Sequence, residues 1–411
     1  MQKKTAGDID VAVIGGGPAG SFSAYELAKK GLNVTVFEEH SQIGYPSHCA
    51  GHLSIRSLKN LNLYPLPKGI IENEFSIANF YSPNGTQFSV HLNKPVTCAV
   101  NRAKFDIYLA NKAQNAGASY RLETRVESLH VKDNFIKGVE VVEQNSVKMI
   151  SSKIVIDAEG ISSRFIRQAK LNPLCGEKLV FGVEAEVDTV KDVEKNGVEV
   201  YIGENYAPGF YGWLIPRLDG TAKIGLATNK GNPKIFLDHL IKRHPIASKQ
   251  LKNAKITQQA FHAITLGGPI PKTYANGFLA VGDAASQVKA TTGGGIIFSI
   301  LCAKIASQVA KEALDQNNFS EKFLQPYQKQ CAKRLSFDSK VMCRARSMIN
   351  SFSDEQLNNT ISFCSRINLG KSLSNIDEID FQGQTLFTLL RKPAAYAALM
   401  YLCKLFLSAN A

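Results

Sequence analysis

The sequence lacks any long hydrophobic run. Nowhere do roughly 18 or more uncharged apolar residues follow one another, which is the length that a membrane-spanning helix needs. The N-terminus carries Lys3 and Lys4, but Asp8 and Asp10 interrupt what would be the apolar core of a signal peptide. We therefore expect a cytoplasmic chain whose thiols stay reduced.

Metal-binding and dithiol motifs are also missing. The eight cysteines form no C-x-x-C pair, so neither a zinc knuckle nor a dithiol redox motif is supported. The formal net charge of +13 indicates an anionic partner, unless it reflects only a solvated basic surface. No block of lysine and arginine interleaved with aromatic residues occurs, so nucleic acid falls behind a membrane surface or a phosphorylated substrate.

What the sequence does contain begins with a nucleotide-binding pattern. Alternating apolar residues from Ile9 predict a short buried strand, which runs into Gly15-x-Gly17-x-x-Gly20 and a helix over residues 18–30. A second strand ends at Glu38. In such a unit the first glycine permits a tight turn, the second lets the backbone approach a pyrophosphate, and the third lets the helix pack against the strand. The helix N-terminus then faces the phosphates, and Glu38 accepts hydrogen bonds from the adenosine ribose.

Two later stretches carry further glycine motifs. Residues 155–167 (V-I-D-A-E-G-I-S-S-R-F-I-R) predict a strand, a tight turn and the basic start of a helix. Near residue 280 a buried strand leads into Gly282-Asp283, and the cluster from Gly293 to Gly295 opens a helix. A carboxylate at this point suits a ribityl hydroxyl, and the helix N-terminus suits the pyrimidine end of a flavin.

In their order, these motifs resemble those of FAD enzymes with the para-hydroxybenzoate hydroxylase fold. The matching stretches are Gly15-x-Gly17-x-x-Gly20, Asp157-x-x-Gly160-x-x-Ser163, Gly282-Asp283, and Asn101-Arg102 at a helix start. Within that superfamily the chain is similar to archaeal geranylgeranyl reductases, including digeranylgeranylglycerophospholipid reductases, through residues 46–51, 211–216 and 282–296. It departs from them at Ala290, where the family often has proline.

The resemblance implies FAD as cofactor and a set of residues that contact it. These candidates are Gly15, Gly17, Pro18, Ala19, Gly20, Glu38, Cys49, Ala50, Arg102, Val126, Asp157, Gly160, Gly282, Asp283, Gly294, Gly295 and Ile296. Tyr211 and Trp213 are the candidates for the wall of an apolar substrate tunnel, with a plain core role as the alternative. No metal site is expected.

The fold class expected is mixed α/β: a Rossmann-like FAD-binding domain, an antiparallel-sheet substrate domain that roofs the flavin, and a helical C-terminal region. We assign residues 1–75, 98–180 and 265–315 to the FAD-binding domain. Residues 76–97, with a hairpin at Asn84-Gly85, and 181–264 form the substrate sheet, and 316–411 the helical region. The apolar residues 394–407 predict either a helix packed on the domain or an interfacial helix lying on a membrane.

Cys49 is the candidate catalytic residue, in a loop between His48 and His52. A closed zinc site would need a second ligand pair, which is missing nearby. Covalent catalysis would need an electrophile, and an alkene does not invite thiolate attack. The resemblance puts this loop along the flavin. We therefore expect Cys49 to pack beside the isoalloxazine and to shape the alkene site, with a part in proton delivery.

The reaction implied by the resemblance is reduction of C=C bonds in the geranylgeranyl chains of archaeal lipid precursors, by hydride transfer from reduced FAD. The chain has one complete G-x-G-x-x-G unit and hence no second Rossmann domain for a nicotinamide cofactor. NAD(P)H must therefore visit transiently, or ferredoxin reduces the flavin. The prenylated substrate and the basic charge together lead us to expect peripheral association with a membrane.

Other classes of flavoprotein stay open at this point. They are another flavin oxidoreductase, such as a monooxygenase, a hydroxylase or a quinone-linked dehydrogenase, and a redox-neutral flavoprotein. The segment Trp213-Leu214-Ile215-Pro216 is similar to part of the W-x-W-x-I-P signature of flavin halogenases, but the first tryptophan of that signature is Tyr211 here.

Overall fold

The structure is a computed structural model, and it describes residues 9–47, 49–143, 146–174 and 176–409. Lys3, Lys4, Asp8 and His48, named above, lie outside the described residues. In chain order the strands are β1 (Ile9–Ile14), β2 (Val34–Phe37), β3 (His52–Ser54), β4 (Ile71–Phe75), β5 (Ile77–Tyr81), β6 (Gln87–His91), β7 (Thr97–Val100), β8 (Ser119–Arg121), β9 (Thr124–Lys132), β10 (Phe135–Glu143), β11 (Ser146–Asp157), β12 (Leu179–Val187), β13 (Gly197–Tyr201), β14 (Gly212–Pro216), β15 (Ala222–Thr228), β16 (Ile256–Thr265), β17 (Tyr274–Ala275) and β18 (Phe278–Ala280).

The helices alternate with the strands in the first part of the chain and follow one another after β18. They are α1 (Pro18–Ala28), α2 (Ile55–Asn60), α3 (Arg102–Asn115), α4 (Arg164–Gln168), α5 (Pro233–Arg243), α6 (Ala247–Gln250), α7 (Ile296–Asp315), α8 (Glu321–Asn350), α9 (Asp354–Arg366), α10 (Leu369–Leu373), α11 (Gln382–Leu389) and α12 (Pro393–Ala409). Among the helices of the described residues, none is both long and apolar enough to cross a bilayer.

The chain forms two compact units. The first unit contains Met1–Ser47, Arg102–Gly176 and Thr265–Ser336, and the second contains His48–Asn101, Glu177–Ile264 and Phe337–Ala411. The expected mixed α/β class is confirmed, with a helical region at the C-terminal end.

The first unit is built on a mainly parallel sheet with the order β17-β18-β11-β1-β2-β8, which β10 and β9 extend from β11. All six residues of β1 are buried, as a central parallel strand requires. The strand ends are aligned, because Ile14 pairs with both Phe37 and Asp157, and Asp157 pairs with Ala280. The three glycine motifs follow these strand ends directly, so the register brings them to one edge of the sheet.

Helices α1 and α7 of the first unit pack against each other beside this edge. Their contact uses small residues: the Ser307 hydroxyl oxygen lies 3.2 Å from the Ser23 carbonyl oxygen of α1, and 2.8 Å from the Ala303 carbonyl oxygen of its own helix. Short side chains let two helix backbones approach closely. The two helices that begin at glycine motifs are therefore held side by side, with their N-termini near the same row of strand ends.

The second unit contains a seven-stranded sheet with the order β16-β12-β15-β14-β13-β5-β6 and a three-stranded sheet with the order β3-β7-β4. One face of the larger sheet, with Val183, Leu214 and Ile224, packs in a core with Leu237 of α5 and Ala247 of α6. The predicted hairpin is confirmed, since β5 and β6 pair antiparallel on either side of Asn84-Gly85.

The compact units divide the chain differently from the predicted domain segments. Residues 48–75 were expected in the FAD-binding domain, but β3 and β4 both pair with β7 and join the second unit. Residues 316–336 were expected in the helical region but belong to the first unit. The assignment of particular segments to FAD and to substrate stays a prediction.

Candidate active site

The turn after β1 accepts only glycine at two positions. Gly15 has a φ of +92°, and a Cβ there would lie 2.5 Å from the Ala158 carbonyl oxygen. A Cβ on Gly20 would lie 1.9 Å from the Gly15 carbonyl oxygen, which no real contact tolerates. The first glycine thus permits the turn, and the third lets α1 approach the strand end.

Gly17 leaves open space at the start of α1. It is the N-cap of the helix, Pro18 follows at the first helical position, and the first turn holds no acidic residue. A Cβ on Gly17 would meet nothing within 4 Å. The backbone N–H groups at this end, around Ala19 and Gly20, carry the positive end of the helix dipole, so the opening suits a phosphate group.

Glu38 is held at the end of β2 as a fixed hydrogen-bond acceptor. Its Oε2 accepts a hydrogen bond from the Gly16 N–H at 2.7 Å, and its Oε1 accepts one from the His40 N–H at 3.0 Å. The side chain of Glu38 keeps 12% of its surface exposed. Oε1 also lies 2.6 Å from His40 Nδ1, so the remaining lone pair is on Oε2, where an oriented carboxylate oxygen suits a ribose hydroxyl.

Arg102 and Asp283, predicted from distant motifs, come together in the first unit. The Arg102 guanidinium forms a two-point ion pair with Asp106, through Nε at 3.2 Å and Nη2 at 2.9 Å. Burial raises the pKa of Asp283, and the nearby charge of Arg102 opposes that rise. Asp283 Oδ1 also lies 3.0 Å from the position of a Cβ on Gly295, the N-cap of α7. A carboxyl group, a guanidinium and a helix N-terminus therefore converge here.

The second glycine cluster leads into α7. Gly293 donates its N–H to the Lys289 carbonyl oxygen at 2.8 Å, and Lys289 donates its N–H to the Gly294 carbonyl oxygen at 3.2 Å. A Cβ on Gly294 would lie 2.8 Å from Lys289 Cε, so this glycine makes room for the lysine side chain. Ile296 is the first residue of α7. The loop closes tightly although Ala290 replaces the proline that the related family often has.

Two residues that the sequence did not reveal hold the Gly282 turn. Gln287 Oε1 accepts a hydrogen bond from the Gly282 N–H at 2.8 Å, and Gln287 Nε2 donates to the Tyr327 hydroxyl at 2.8 Å. That hydroxyl donates in turn to the Ala280 carbonyl oxygen at 2.6 Å. Gln287 could have been suspected from its place in the motif. Tyr327 lies on α8 and carries no local signal.

The middle motif contains a buried carboxyl oxygen without a hydrogen-bond partner among the described residues and, separately, an open glycine position. Asp157 Oδ1 accepts a hydrogen bond from the Glu159 N–H at 3.0 Å, whereas Oδ2 is buried and has no hydrogen-bond partner among the described residues. Burial raises the pKa of Asp157 well above its usual range, and the charge of Glu159 adds to the rise. A Cβ on Gly160 would meet nothing within 4 Å. Val126 has a buried side chain, and its carbonyl oxygen accepts a hydrogen bond from Arg164.

We use the term nucleotide cradle for the residues of the first unit that surround these openings: Gly15, Gly17, Gly20, Glu38, Arg102, Asp157, Gly160, Gly282, Asp283 and Gly295. They offer two open glycine positions, a fixed acceptor for a ribose and an unsatisfied buried carboxyl oxygen. These features fit a dinucleotide such as FAD. Which of these residues touch the cofactor stays a prediction.

The Cys49–Ala50 segment belongs to the second unit. The Ala50 carbonyl oxygen accepts a hydrogen bond from Lys223 Nζ at 3.2 Å, and Ala50 packs beside a buried cluster with Phe75 and Trp213. Cys49 is partly buried. In the part of the chain that the structure describes, no three His, Cys, Asp or Glu side chains are grouped to hold a metal ion. Contact between Cys49 and a flavin stays a prediction.

Tyr211 and Trp213 stand in an aromatic wall, the name used here for Phe210, Tyr211, Trp213 and Arg346. Phe210 stacks on Tyr211 with ring centroids 4.4 Å apart, and Tyr211 meets Trp213 edge-on at 5.9 Å. The Arg346 guanidinium lies 4.6 Å from the Phe210 ring centroid. Phe210 and Arg346 were not identified from the sequence. Arg346 lies on α8, far along the chain from the three aromatic residues.

Burial shifts the pKa values of the polar groups in the aromatic wall. Burial raises the pKa of Tyr211 to about 12, the charge of Arg346 opposes this, and Cys49 adds to it. Burial also lowers the pKa of Arg346 to about 10. The Tyr211 hydroxyl therefore keeps its proton at neutral pH. Since the charge of Cys49 acts on Tyr211, the structure brings the two predicted site residues into one neighbourhood.

Comparison with known proteins identifies relatives over most of the chain. The model of the family described as FAD binding domain matches residues 8–334. Digeranylgeranylglycerophospholipid reductase 2 of Methanopyrus kandleri is 31% identical over 364 residues, covering 85% of this chain and 89% of that protein. Digeranylgeranylglycerophospholipid reductase of Methanosarcina acetivorans is 32% identical over 399 residues, covering 93% of this chain and 92% of that protein.

Solved structures share the fold. A geranylgeranyl bacteriochlorophyll reductase-like protein of Thermoplasma acidophilum superposes with a TM-score of 0.86 and 26% identity, covering 96% of this chain and 99% of that one. The flavin-dependent brominase Bmp2 superposes with a TM-score of 0.71 but only 17% identity, covering 89% of this chain and 92% of that one. The second likeness extends to the fold alone.

Proposed function

Because the chain belongs to the digeranylgeranylglycerophospholipid reductases, we propose that it saturates C=C bonds of geranylgeranyl chains in archaeal membrane-lipid precursors. It is an FAD-dependent oxidoreductase acting on CH–CH groups. The likeness to these reductases over most of the chain is the observation that carries the proposal. Another flavin oxidoreductase or a redox-neutral flavoprotein is not favoured.

Saturation of each C=C bond needs a hydride on one carbon and a proton on the other, because an isolated alkene has no electron-withdrawing group that would let it accept a hydride alone. When bound, FAD in its reduced form supplies the hydride. The residues of this chain bind the cofactor and the substrate, orient them and exclude water. Gly17 and the N-terminus of α1 would hold the pyrophosphate, and Glu38 the ribose. Asp283 and the start of α7 would hold the flavin side of the cofactor.

The aromatic wall is proposed to line the prenyl chain. Its rings contact one another in an unbroken row, and its phenol carries a proton at neutral pH, as any phenol does; burial raises the pKa of Tyr211 further, to about 12. An apolar lining with a few oriented polar groups is typical of sites for hydrophobic ligands. Cys49 lies in the same neighbourhood, and we propose that it shapes the alkene site.

The electron donor is proposed to act by transient contact. The sequence contains one complete G-x-G-x-x-G unit, so NAD(P)H has no second nucleotide domain of its own, and ferredoxin is the alternative donor. Mixing the oxidised FAD-loaded protein anaerobically with each donor distinguishes them. The donor that bleaches flavin absorbance within the turnover time is the one used, and bleaching by neither would contradict this part of the proposal.

We further propose that α12 contacts a membrane surface. Tyr396, Met400 and Leu407 lie on one face of the helix and are 54%, 52% and 70% exposed, with Lys404 exposed beside them. On the opposite face Ala398 is buried, and the helix contacts α9 and α10. An exposed apolar stripe with flanking cations is typical of helices that lie in a membrane interface. The net charge of +13 favours an anionic lipid surface.

Anaerobic incubation of the dithionite-reduced holoprotein with digeranylgeranylglyceryl phosphate, followed by mass spectrometry, tests the proposed function. A gain of two hydrogens per double bond supports it. Added oxygen under air would indicate a monooxygenase instead, and an unchanged mass would indicate a redox-neutral flavoprotein. The oxidised holoprotein without dithionite is the control and should leave the substrate unchanged.

A further inference from the structure

A carboxyl group lies buried in the middle of the seven-stranded sheet of the second unit. Glu184 on β12 pairs with Gly225 on β15, and Gly225 pairs with Trp213 on β14. The three residues therefore form one row across three neighbouring strands. They project from the face opposite the core that holds Val183 and Leu214.

The Trp213 indole lies across Gly225 toward Glu184. A Cβ on Gly225 would be 2.5 Å from Trp213 Cζ2 and 2.7 Å from Cε2, so the ring occupies the space that a side chain would take. Cε2 is bonded to Nε1, which places the indole N–H on the side of the ring that covers β15. Trp213 Nε1 and Glu184 Oε2 are both buried, and neither has a hydrogen-bond partner in the described structure. An N–H donor and a carboxyl group thus share one buried row. No hydrogen bond of normal geometry joins them, but the indole lies close enough to act as a donor to the ionised form of Glu184.

Charged neighbours surround this row. Lys223 on β15 pairs with Glu72 at 2.7 Å, and Arg217 pairs with Glu186 at 3.0 Å and with Glu72 at 3.3 Å. Lys223 also donates to the Ala50 carbonyl oxygen at 3.2 Å and to the Val100 carbonyl oxygen at 3.3 Å. This network already contains two cations and two carboxylates.

An ionised Glu184 would therefore be a third carboxylate among two cations on one buried face. The charged and titratable groups around it are Lys223 from β15, Glu186 from its own strand, Arg217 after β14, Glu72 from β4 through Lys223, and His262 from β16 beside Gly182. Burial raises the pKa of Glu184 to about 7 and the charge of Glu186 adds to the rise, whereas the charge of Lys223, hydrogen bonding by the Trp213 indole and the charge of Arg217 lower it. Burial and the neighbouring carboxylates thus favour the neutral acid, and the carboxylate forms on the alkaline side of neutrality.

We propose that Glu184 is a positioning residue of the reductase, which rests as a neutral acid and, when ionised, draws the Trp213 indole N–H into a hydrogen bond. A buried carboxylate needs a donor, and the indole N–H of the same row is the donor that lacks one. Ionisation thus shifts one ring of the aromatic wall toward β12. The effect on catalysis rests on the proposed function, because it requires that Trp213 lines the prenyl chain.

Trp213 makes the ionisation directly observable, since it is the only tryptophan of the chain. The fluorescence emission maximum of the holoprotein is measured from about pH 5.5 to about pH 8.5. We expect one transition with a midpoint near neutral pH in the wild type and none in Glu184→Gln, which keeps the shape but cannot ionise. Glu186→Gln and His262→Asn are matched controls that should keep the transition.

A transition that persists in Glu184→Gln, that is missing from the wild type, or that disappears in His262→Asn would overturn the proposal. The second readout is the pH profile of kcat and KM for prenyl reduction. We expect KM of the wild type to change by about 3-fold or more across the same transition, and the profile of Glu184→Gln to be flat there. If the wild type does not reduce the substrate, the proposed function fails while the fluorescence test still decides the role of Glu184.

Discussion

At Gly20 a single methyl group would lie 1.9 Å from the Gly15 carbonyl oxygen, so α1 reaches the turn after β1 only with glycine there. Gly17, three residues earlier, is different. Its φ of −68° suits any residue, and a Cβ there would meet nothing within 4 Å. Gly20 serves the fold, whereas Gly17 leaves room for a ligand. Because of this difference, ligand binding can be tested at Gly17 without loss of folding.

Gly17→Asp is expected to abolish FAD retention while the apoprotein stays folded. Aspartate is a good N-cap for α1, but its negative charge would repel the pyrophosphate from the helix N-terminus. We expect FAD affinity to fall by about 100-fold, which corresponds to about 2.7 kcal/mol. The measurements are flavin absorbance after purification and titration of the apoprotein.

The matched control is Gly17→Asn, which has the same shape as the aspartate variant without its charge. It should lose clearly less affinity than Gly17→Asp, and the apoproteins of both variants should melt at similar temperatures. Equal losses of FAD in the two variants would show that bulk, and not charge, governs this position.

Cys49→Ala is expected to retain FAD but to change the rate or the extent of prenyl reduction. The residue belongs to the second unit, where its charge acts on Tyr211, and none of the nucleotide cradle residues is changed. Flavin content and the mass distribution of the products are the measurements. Cys49→Ser is the comparison, because serine keeps a small group that carries a proton. Wild-type products from Cys49→Ser but not from Cys49→Ala would indicate a role in proton delivery, and loss of FAD from either variant would contradict the prediction.

At the scale of elements, contacts between strands and helices of the second unit position functional side chains. Sequence spacing does not show these contacts. Strand β15 contributes Lys223, whose ammonium group reaches the Ala50 carbonyl oxygen, the Val100 carbonyl oxygen and Glu72. Helix α12 presents an apolar stripe on its exposed face. Neither includes a residue of the nucleotide cradle.

Lys223→Met is expected to destabilise the protein by about 2 to 4 kcal/mol. The substitution leaves two carbonyl oxygens without this donor and weakens the compensation of the Glu72 charge, since only Arg217 then pairs with it. Urea unfolding measures the loss. The double variant Lys223→Met/Glu72→Gln should recover part of it, because the carboxylate that lost its lysine partner is gone. Full additivity of the two changes would contradict a coupled ion pair.

Replacing the apolar stripe of α12 is expected to weaken membrane binding. The triple variant Tyr396→Ser/Met400→Ser/Leu407→Ser should bind vesicles containing anionic phospholipid about 100-fold less tightly, since each buried apolar side chain contributes roughly 1.5 to 3 kcal/mol when fully buried and less at an interface. Co-sedimentation with vesicles is the measurement.

The matched control removes three equally exposed apolar side chains elsewhere in the second unit: Leu218→Ser/Ile235→Ser/Phe261→Ser. It should bind vesicles as the wild type does. Raising the salt concentration should weaken the binding of both proteins that retain α12 intact, because anionic headgroups attract the basic chain. Equal binding by the two triple variants would contradict the proposed contact.

At the scale of the whole molecule, buried titratable groups set how stability depends on pH. His244 is fully buried in the second unit; its Nε2 lies 3.1 Å from the Ser82 carbonyl oxygen, and its Nδ1 accepts hydrogen bonds from the N–H groups of Ile246 and Ala247. These bonds require the neutral ring, and burial lowers the pKa of His244 to about 4.

The unfolded chain binds a proton at His244 below about pH 6.5, whereas the folded chain does not until about pH 4. The contribution of His244 to the free energy of unfolding is therefore intact above about pH 6.5 and falls as the pH drops from there to about pH 4. We expect unfolding free energy to fall by about 2 kcal/mol more between pH 7 and pH 5 in the wild type than in His244→Asn. Urea unfolding at the two pH values is the measurement, and equal pH dependence of the two proteins would contradict the assignment.

The sequence by itself determined the local chemistry of the nucleotide cradle. The turn glycines Gly15 and Gly20, the acceptor Glu38 and the helix starts all lie within short segments, whose spacing restricts the conformations of neighbouring residues. It also indicated the family, and with it FAD and the substrate class, because ordered motifs persist along the chain.

Only the tertiary structure decided which distant side chains meet. Tyr327 reaches the Gly282 turn through Gln287, Arg346 lies over Phe210, and Glu184 shares a row with Trp213. Strand order and register produce these pairings. Order and register in turn depend on the simultaneous burial of whole faces of sheets and helices. No local pattern carries that information, so the pairing of β3 and β4 with β7 and the neighbours of Glu184 emerged only from the packed fold.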